Sequence, residues 1–354
     1  MKYLKIFTPI SFALFYFLTT GCDKVPNTAT SKPINTDTIF DGRPKIDTAT
    51  PIYLNASGSS YRNTIASIIN SDGSVDAWFT TPGNKYPNGL AYTSMITYNK
   101  SSDGGKTWGT EAVSLRPTQG NADQLFCRDP AVVKLSDGYY YIAYSSSNVS
   151  ESIDNKIYIG RSENPAGPWD KWNGTKWAQD SSVAIVKDTA AVAKKYYGAG
   201  APSLIVLNNV LYLYYTFQPN TGQSFIKLYT SDLSDTNWPS KLVSMGTVLD
   251  KSMYYVSKPE RAVVKYREDI KKFVALFSVN SLTDSSYISY WQSSDGLFFS
   301  RSGSLRYNLK IDLSGCGLSS DENGFIQSNT KNFITYSVGT SASKLDAYLN
   351  YYTY

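Results

Sequence analysis

"RDPAVVKLSDGYYYIAYSS", residues 128–146, reads as an apolar strand, a Ser-Asp-Gly turn and a tyrosine-rich second strand that ends in serine. β-Branched and aromatic residues on either side of a turn signal a hairpin. The form returns as "YRNTIASIINSDGSVDAWFTT" from 61, "APSLIVLNNVLYLYYTF" from 201, "KPERAVVKYREDIKKFVALFSV" from 258 and "DENGFIQSNTKNFITYSV" from 321. The second strands end at Thr80, Ser145, Thr216, Ser278 and Ser337, at intervals of 65, 71, 62 and 59 residues. A second marker runs in phase. "SSDGGKTWG" from 101 fits the Asp-box pattern S-x-D-x-G-x-T-W, with weaker copies ending at Trp169, Trp238 and Phe299. In such a turn the Asp accepts backbone N–H groups while the aromatic packs beneath, so it is a folding device. Each copy follows a third strand, and a fourth comes after it. Five units of four strands predict an all-β fold, a five-bladed β-propeller with four antiparallel strands per blade. The fifth unit has three clear strands, and "GRPKIDTATPIYLNAS" at 42–57 is expected to supply the outer one. A pair of β-sandwiches is the structural alternative, but it leaves the two phased markers unexplained.

The composition agrees. The 354 residues include 29 Tyr and 7 Trp, with a net charge of only +5 spread along the chain, so no nucleic-acid track is expected. Histidine is absent. That removes the Ser–His–Asp triad, the Cys–His pair and the usual zinc sites. Acid–base chemistry must come from Asp, Glu, Tyr, Lys or Cys. No metal and no cofactor is expected.

The start, "MKYLKIFTPISFALFYFLTTGCDK", has a basic head at Lys2 and Lys5, an apolar run to Leu18, and Gly21-Cys22. It resembles a bacterial lipoprotein signal, and an ordinary cleaved signal peptide is the alternative. The expected organisation is residues 1–21 as signal, 22–37 as a polar tether and 38–354 as the propeller. The protein would sit in the bacterial cell envelope, held to a membrane by a lipid at Cys22. Cys127 and Cys316 remain for the folded part, and an oxidising compartment suggests a disulfide between them, with two buried free thiols as the alternative.

In a propeller the first strand of each blade lines the axis, so the segments entering those strands converge. The entries are Arg62, Arg128-Asp129, Ala201-Pro202, Pro259-Glu260-Arg261 and Asp321-Glu322. Converging carboxylates push their pKa values apart, so one can act as acid and another as base. Here the sequence resembles the five-bladed propeller glycosidases, best known from glycoside hydrolase family 43, over residues 60–340. Asp129-Pro130 matches that family's base motif, and Ala201-Pro202 its "WAP"-like step. Glu260 stands where the pKa modulator is expected and Glu322 where the general acid is expected. Glu260 can also be the acid, since "KPERAVVKY" resembles the family's "EGPxxxK" stretch. The first blade offers Tyr61-Arg62-Asn63 in place of the family's base, so blade two supplies it. The resemblance implies a glycoside hydrolase acting on an oligo- or polysaccharide, with Asp129, Glu260 and Glu322 catalytic. Arg62, Arg128, Arg261 and Asp321 would contact substrate, and the arginines hint at an acidic sugar. A sialidase-like hydrolase using Tyr61 and a non-catalytic glycan- or protein-binding propeller are the alternatives. Trp172 and Trp177 are candidate sugar platforms, whereas the stripes "YYYIAY" and "LYLYYT" read as core.

Overall fold

The computed structural model describes residues 44–47, 52–54, 62–187, 195–220, 223–249, 260–306, 308–328, 330–341 and 344–354, with the backbone alone at 220 and 260. Two short strands come first, β1 (Lys45–Ile46) and β2 (Ile52–Tyr53). Blade one is β3 (Asn63–Ile69), β4 (Val75–Pro82), β5 (Ser94–Ser101) and β6 (Ala112–Leu115). Blade two is β7 (Arg128–Lys134), β8 (Tyr140–Ser146), β9 (Lys156–Ser162) and β10 (Asp170–Trp172), edged by β11 (Trp177–Ala178). Blade three is β12 (Gly198–Leu207), β13 (Val210–Asn220), β14 (Gln223–Asp232) and β15 (Val243–Leu249). Blade four is β16 (Glu260–Arg267), β17 (Lys272–Val279), β18 (Tyr287–Ser293) and β19 (Ser300–Leu305). Blade five is β20 (Leu313–Leu318), then, after the two-residue β21 (Phe325–Ile326), β22 (Phe333–Ser341) and β23 (Lys344–Thr353). The inner strands β3, β7, β12, β16 and β20 neighbour one another in a closed ring. The fold is therefore the five-bladed propeller that the repeats require.

Local chemistry sets the turns and the packing. Asn208 and Asn209, both at positive φ, join β12 to β13 across the pair Leu207–Val210, a two-residue turn in which asparagine is favoured. The tyrosine stripes are core: Tyr141, Tyr144, Tyr214 and Tyr215 are buried between blades. At Ser101–Trp108 the Asp103 carboxylate accepts the N–H groups of Thr107 and Lys106 and the Thr107 hydroxyl. Those donors, Thr107 first, hold its pKa at about 2. Trp108 packs edge-on against Phe79, tying the turn to the core between blades five and one.

One device recurs in all five blades. Each inner strand opens with a register shift, and a residue of positive φ sits there: Thr64, Asp129, Ala201, Arg261 and Gly315. Such a β-bulge bends the strand and re-aims a side chain. Glycine takes this conformation freely and aspartate tolerates it, so Thr64, Ala201 and Arg261 carry most of the strain. The hydroxyls that close the second strands hold the strain in place. Thr80 accepts the N–H of Asp129, Ser145 that of Ala201, Thr216 that of Arg261 and Ser278 that of Gly315, at 2.8–3.2 Å. The fifth, Ser337, donates to the Arg62 carbonyl at 2.9 Å. Each blade thus clasps the next through the Ser/Thr marker visible in the sequence. The prolines after Asp129 and Ala201 suit the bulge, where one residue of the strand is left without a ladder partner.

The ring closes at both ends of the chain. β1 and β2 pair antiparallel with β23, so the N-terminal stretch completes blade five. At the far end of the inner strands the segment between β20 and β21 crosses the axis. The carbonyls of Ser320, Glu322, Asn323 and Gly324 accept the N–H groups of Ile69, Lys134, Val206 and Tyr266, one from each of the other four blades. An inner strand leaves its axial edge unpaired, and this crossing satisfies one donor on each. The expected disulfide is absent. Cys127 and Cys316 are free and buried in different apolar clusters, one between blades one and two and the other between blades four and five. Burial pushes the Cys316 thiol up to about 12 and Cys127 also upward. Both serve as small core residues.

Candidate active site

The five left-handed residues share the entry end of the ring, and their identities define the site: Thr, Asp, Ala, Arg and Gly. Asp129 is 2% exposed. Its Oδ1 accepts the Thr64 hydroxyl at 2.9 Å, and Thr64 in turn lies 3.1 Å from the Thr80 hydroxyl that holds the Asp129 N–H. Its Oδ2 is buried with no hydrogen-bond partner among the described residues, and the Arg128 Nε stands 3.7 Å away. Arg128 stacks over Phe126 and pairs with Glu151, whose other carboxylate oxygen accepts the Ser94 hydroxyl. The Arg261 Cδ lies 3.8 Å from where a Cβ on Gly315 would stand, a point also within 4 Å of Thr64 and Asn63. Tyr197 lies near Asp129, Arg128 and Arg261. Burial raises its phenol pKa and the Asp129 charge adds to this, while Arg128 and Arg261 pull it down. Its hydroxyl fills the space beside Gly200, only 2.3 Å from where a Cβ there would stand, so only glycine fits at 200. The Asp129 Oδ2 keeps an open acceptor position for a hydrogen bond.

The other expected site residues are distributed differently. Arg62 is not at the mouth. It is 2% exposed, lies over Phe79 in the packing between blades five and one, and is ion-paired to Glu111. Asp321 and Glu322 are not the entry of blade five, since β20 precedes them and its left-handed residue is Gly315. Asp321 builds the axial crossing instead, accepting the N–H groups of Asn323 and Phe325. The buried Lys265 lies near it, and burial lowers that amine to about 8 against the pull of Asp321. Glu322 faces Lys134 at 3.9 Å with its side chain 55% exposed. Lys134 is five residues along β7 from Asp129, roughly 16 Å at strand rise, whereas inverting carboxyls stand about 6.5–9.5 Å apart. Glu322 is therefore too far away to act with Asp129. The Glu260 backbone pairs with Ser278 directly before Arg261, the place that Arg128 holds before Asp129. Its side chain, Tyr61 and Cys22 lie outside the described residues. Trp172 is buried, with its N–H on Ser240, and Trp177 is half-buried against it, so neither is an open platform.

Thr64, Tyr197 and Glu151 complete the site and were not singled out from the sequence. Thr64 could have been found, because it aligns with Asp129 once the repeats are set in register; Tyr197 and Glu151 lie in loops without a repeat. Among the described residues no three Cys, Asp or Glu side chains gather as a metal would require. Cavities of about 670 and 450 Å³ are lined in part by the axial crossing, and one of about 1060 Å³ lies between blades four and five beside β1.

No protein-family model matches the sequence, and no curated protein matches it. Solved structures do match. A family 117 glycoside hydrolase from the marine bacterium Zobellia galactanivorans is 14% identical, with 87% of this chain and 89% of that one covered at a TM-score of 0.59. A thermostable family 43 glycoside hydrolase is also 14% identical, with coverage of 85% and 91% and a TM-score of 0.56. A family 62 hydrolase in complex with xylotriose is 9% identical, with coverage of 86% and 96% and a TM-score of 0.60. At such identities the likeness is one of architecture, and the chain has the five-bladed propeller fold shared by these glycoside hydrolases.

Proposed function

We propose that this protein is an exported glycoside hydrolase acting on an oligo- or polysaccharide at the entry end of its ring. One observation carries the reading: the buried, donor-free oxygen of Asp129, on a left-handed bulge at the start of an inner strand. In this reading Asp129 takes the proton of the attacking water, and Thr64 and Arg128 keep its carboxylate oriented. Glu260 is the acid that protonates the leaving oxygen. The similar folds support the choice of chemistry, since those proteins are glycoside hydrolases and one of them holds xylotriose. The basic head, apolar run and Gly21-Cys22 support export and a lipid anchor in the cell envelope. Asp129→Asn tests the mechanism. Both residues tolerate positive φ, so the variant should fold and still bind sugar while releasing no reducing ends. Turnover close to wild type would reject it.

A non-catalytic glycan-binding propeller is the second reading. It is favoured by the left-handed positions themselves, which hold one carboxylate among five residues. Wild-type protein that binds glycans yet releases no reducing ends across a broad polysaccharide panel would establish it.

A further inference from the structure

Three arginines head inner strands, and two are neutralised within the protein. Arg62 faces Glu111, and Arg128 faces Glu151 with Asp129 beside it. Arg261 differs. It is half-buried, and among the described residues its guanidinium meets no carboxylate. The fold nevertheless maintains a strained backbone to present it. Its φ is +53°, and the Thr216 hydroxyl grips its N–H at 3.1 Å. A Cβ on Gly315 would stand 3.8 Å from the Arg261 Cδ, 3.9 Å from the Thr64 Cγ2 and 3.4 Å from the Asn63 Oδ1, so the three side chains gather around that glycine. Thr64 holds Asp129, and the Tyr197 phenol feels both Asp129 and Arg261. Among the described residues, the cation that meets no carboxylate and the donor-free carboxylate oxygen thus both lie near Thr64. A guanidinium in such a place gains most from an anion that the ligand brings, because its planar fork matches a carboxylate.

We propose that Arg261 receives the carboxylate of an acidic sugar, so that the substrates are uronate-containing glycans. The inference rests on the reading of this end as a sugar site. Matched pairs test it: oligogalacturonate against the neutral galacto-oligomer, and oligoglucuronate against the gluco-oligomer. Affinity is read by calorimetry and turnover by reducing ends. The proteins are wild type, Arg261→Gly and Arg261→Lys. Glycine already occupies the matching position in blade five, so Arg261→Gly relieves strain and should fold. Wild type should bind the acidic member of at least one pair roughly ten- to a hundredfold more tightly, the size of one charge-assisted hydrogen bond. Arg261→Gly should bring that pair to parity, and Arg261→Lys should keep part of the preference. Parity in wild type, a neutral preference, no binding to any member, or a ratio untouched by Arg261→Gly would each overturn the proposal. Acid preference without turnover would reject the hydrolase and keep this inference. Turnover of neutral members alone would do the reverse.

Discussion

Lys265 stands four residues beyond a left-handed position, where three other blades carry Ile68, Val133 and Ile205. It is 7% exposed, and burial lowers its pKa from 10.5 to about 8. A lowered lysine pKa means the fold disfavours the charged form. Below about pH 8 the folded protein carries that charge at full penalty, on the order of 3 kcal/mol from the shift. As pH rises from about 8 to about 10.5 the unfolded chain holds more protons than the folded one, so the penalty fades and stability rises. Lys265→Met should therefore raise the melting temperature at pH 7, and the gap to wild type should narrow toward pH 10. A gap that stays constant or widens would show that Lys265 is not strained by burial. Single residues also mark the limit of reading the sequence. Although a carboxylate before proline is also a common turn and strand-entry pair, the place of Asp129 at the start of an inner strand was legible from the hairpin repeat. Arg62 was not, because one residue of register decides which face of a strand a side chain takes.

The clasp between blades gives a test at the scale of the element. Ser145 is fully buried and accepts the Ala201 N–H at 2.8 Å. Ser145→Ala leaves that donor unsatisfied, and should lower unfolding free energy by about 1–3 kcal/mol in a denaturant titration. Ser145→Thr should recover most of it, since threonine makes the same bond from positions 80 and 216. The five hydroxyls were legible as a repeat. Their bonds to the next blade were not, because a repeat shows what recurs but not what it touches. Blade five was misjudged for a related reason. Its inner strand, "LSGCGL", carries two glycines and lacks apolar alternation, so "DENGFIQ" looked like the better strand entry. Glu322 was nominated on that mistaken frame.

The whole ring depends on β1 and β2 closing blade five against β23. Removing residues 1–54 strips the outer edge of a ten-residue strand and exposes its unpaired backbone. That protein should melt lower and self-associate in light scattering, whereas removal of residues 1–43 should leave both properties unchanged. Five-fold order was legible from spacing alone, but the axial crossing was not, since nothing in "SSDENGF" announces four partners. Yet that crossing works as a caliper. Residues 320–324 reach at most about 18 Å when extended, and within that length their carbonyls must meet one strand of every other blade. A sixth blade would widen the ring and leave a strand outside the span, and a blade that slid along the axis would drop out of register with its carbonyl. The peptide therefore fits a ring of five blades held at one height, and it gains all four bonds only when each of the other strands stands within its reach.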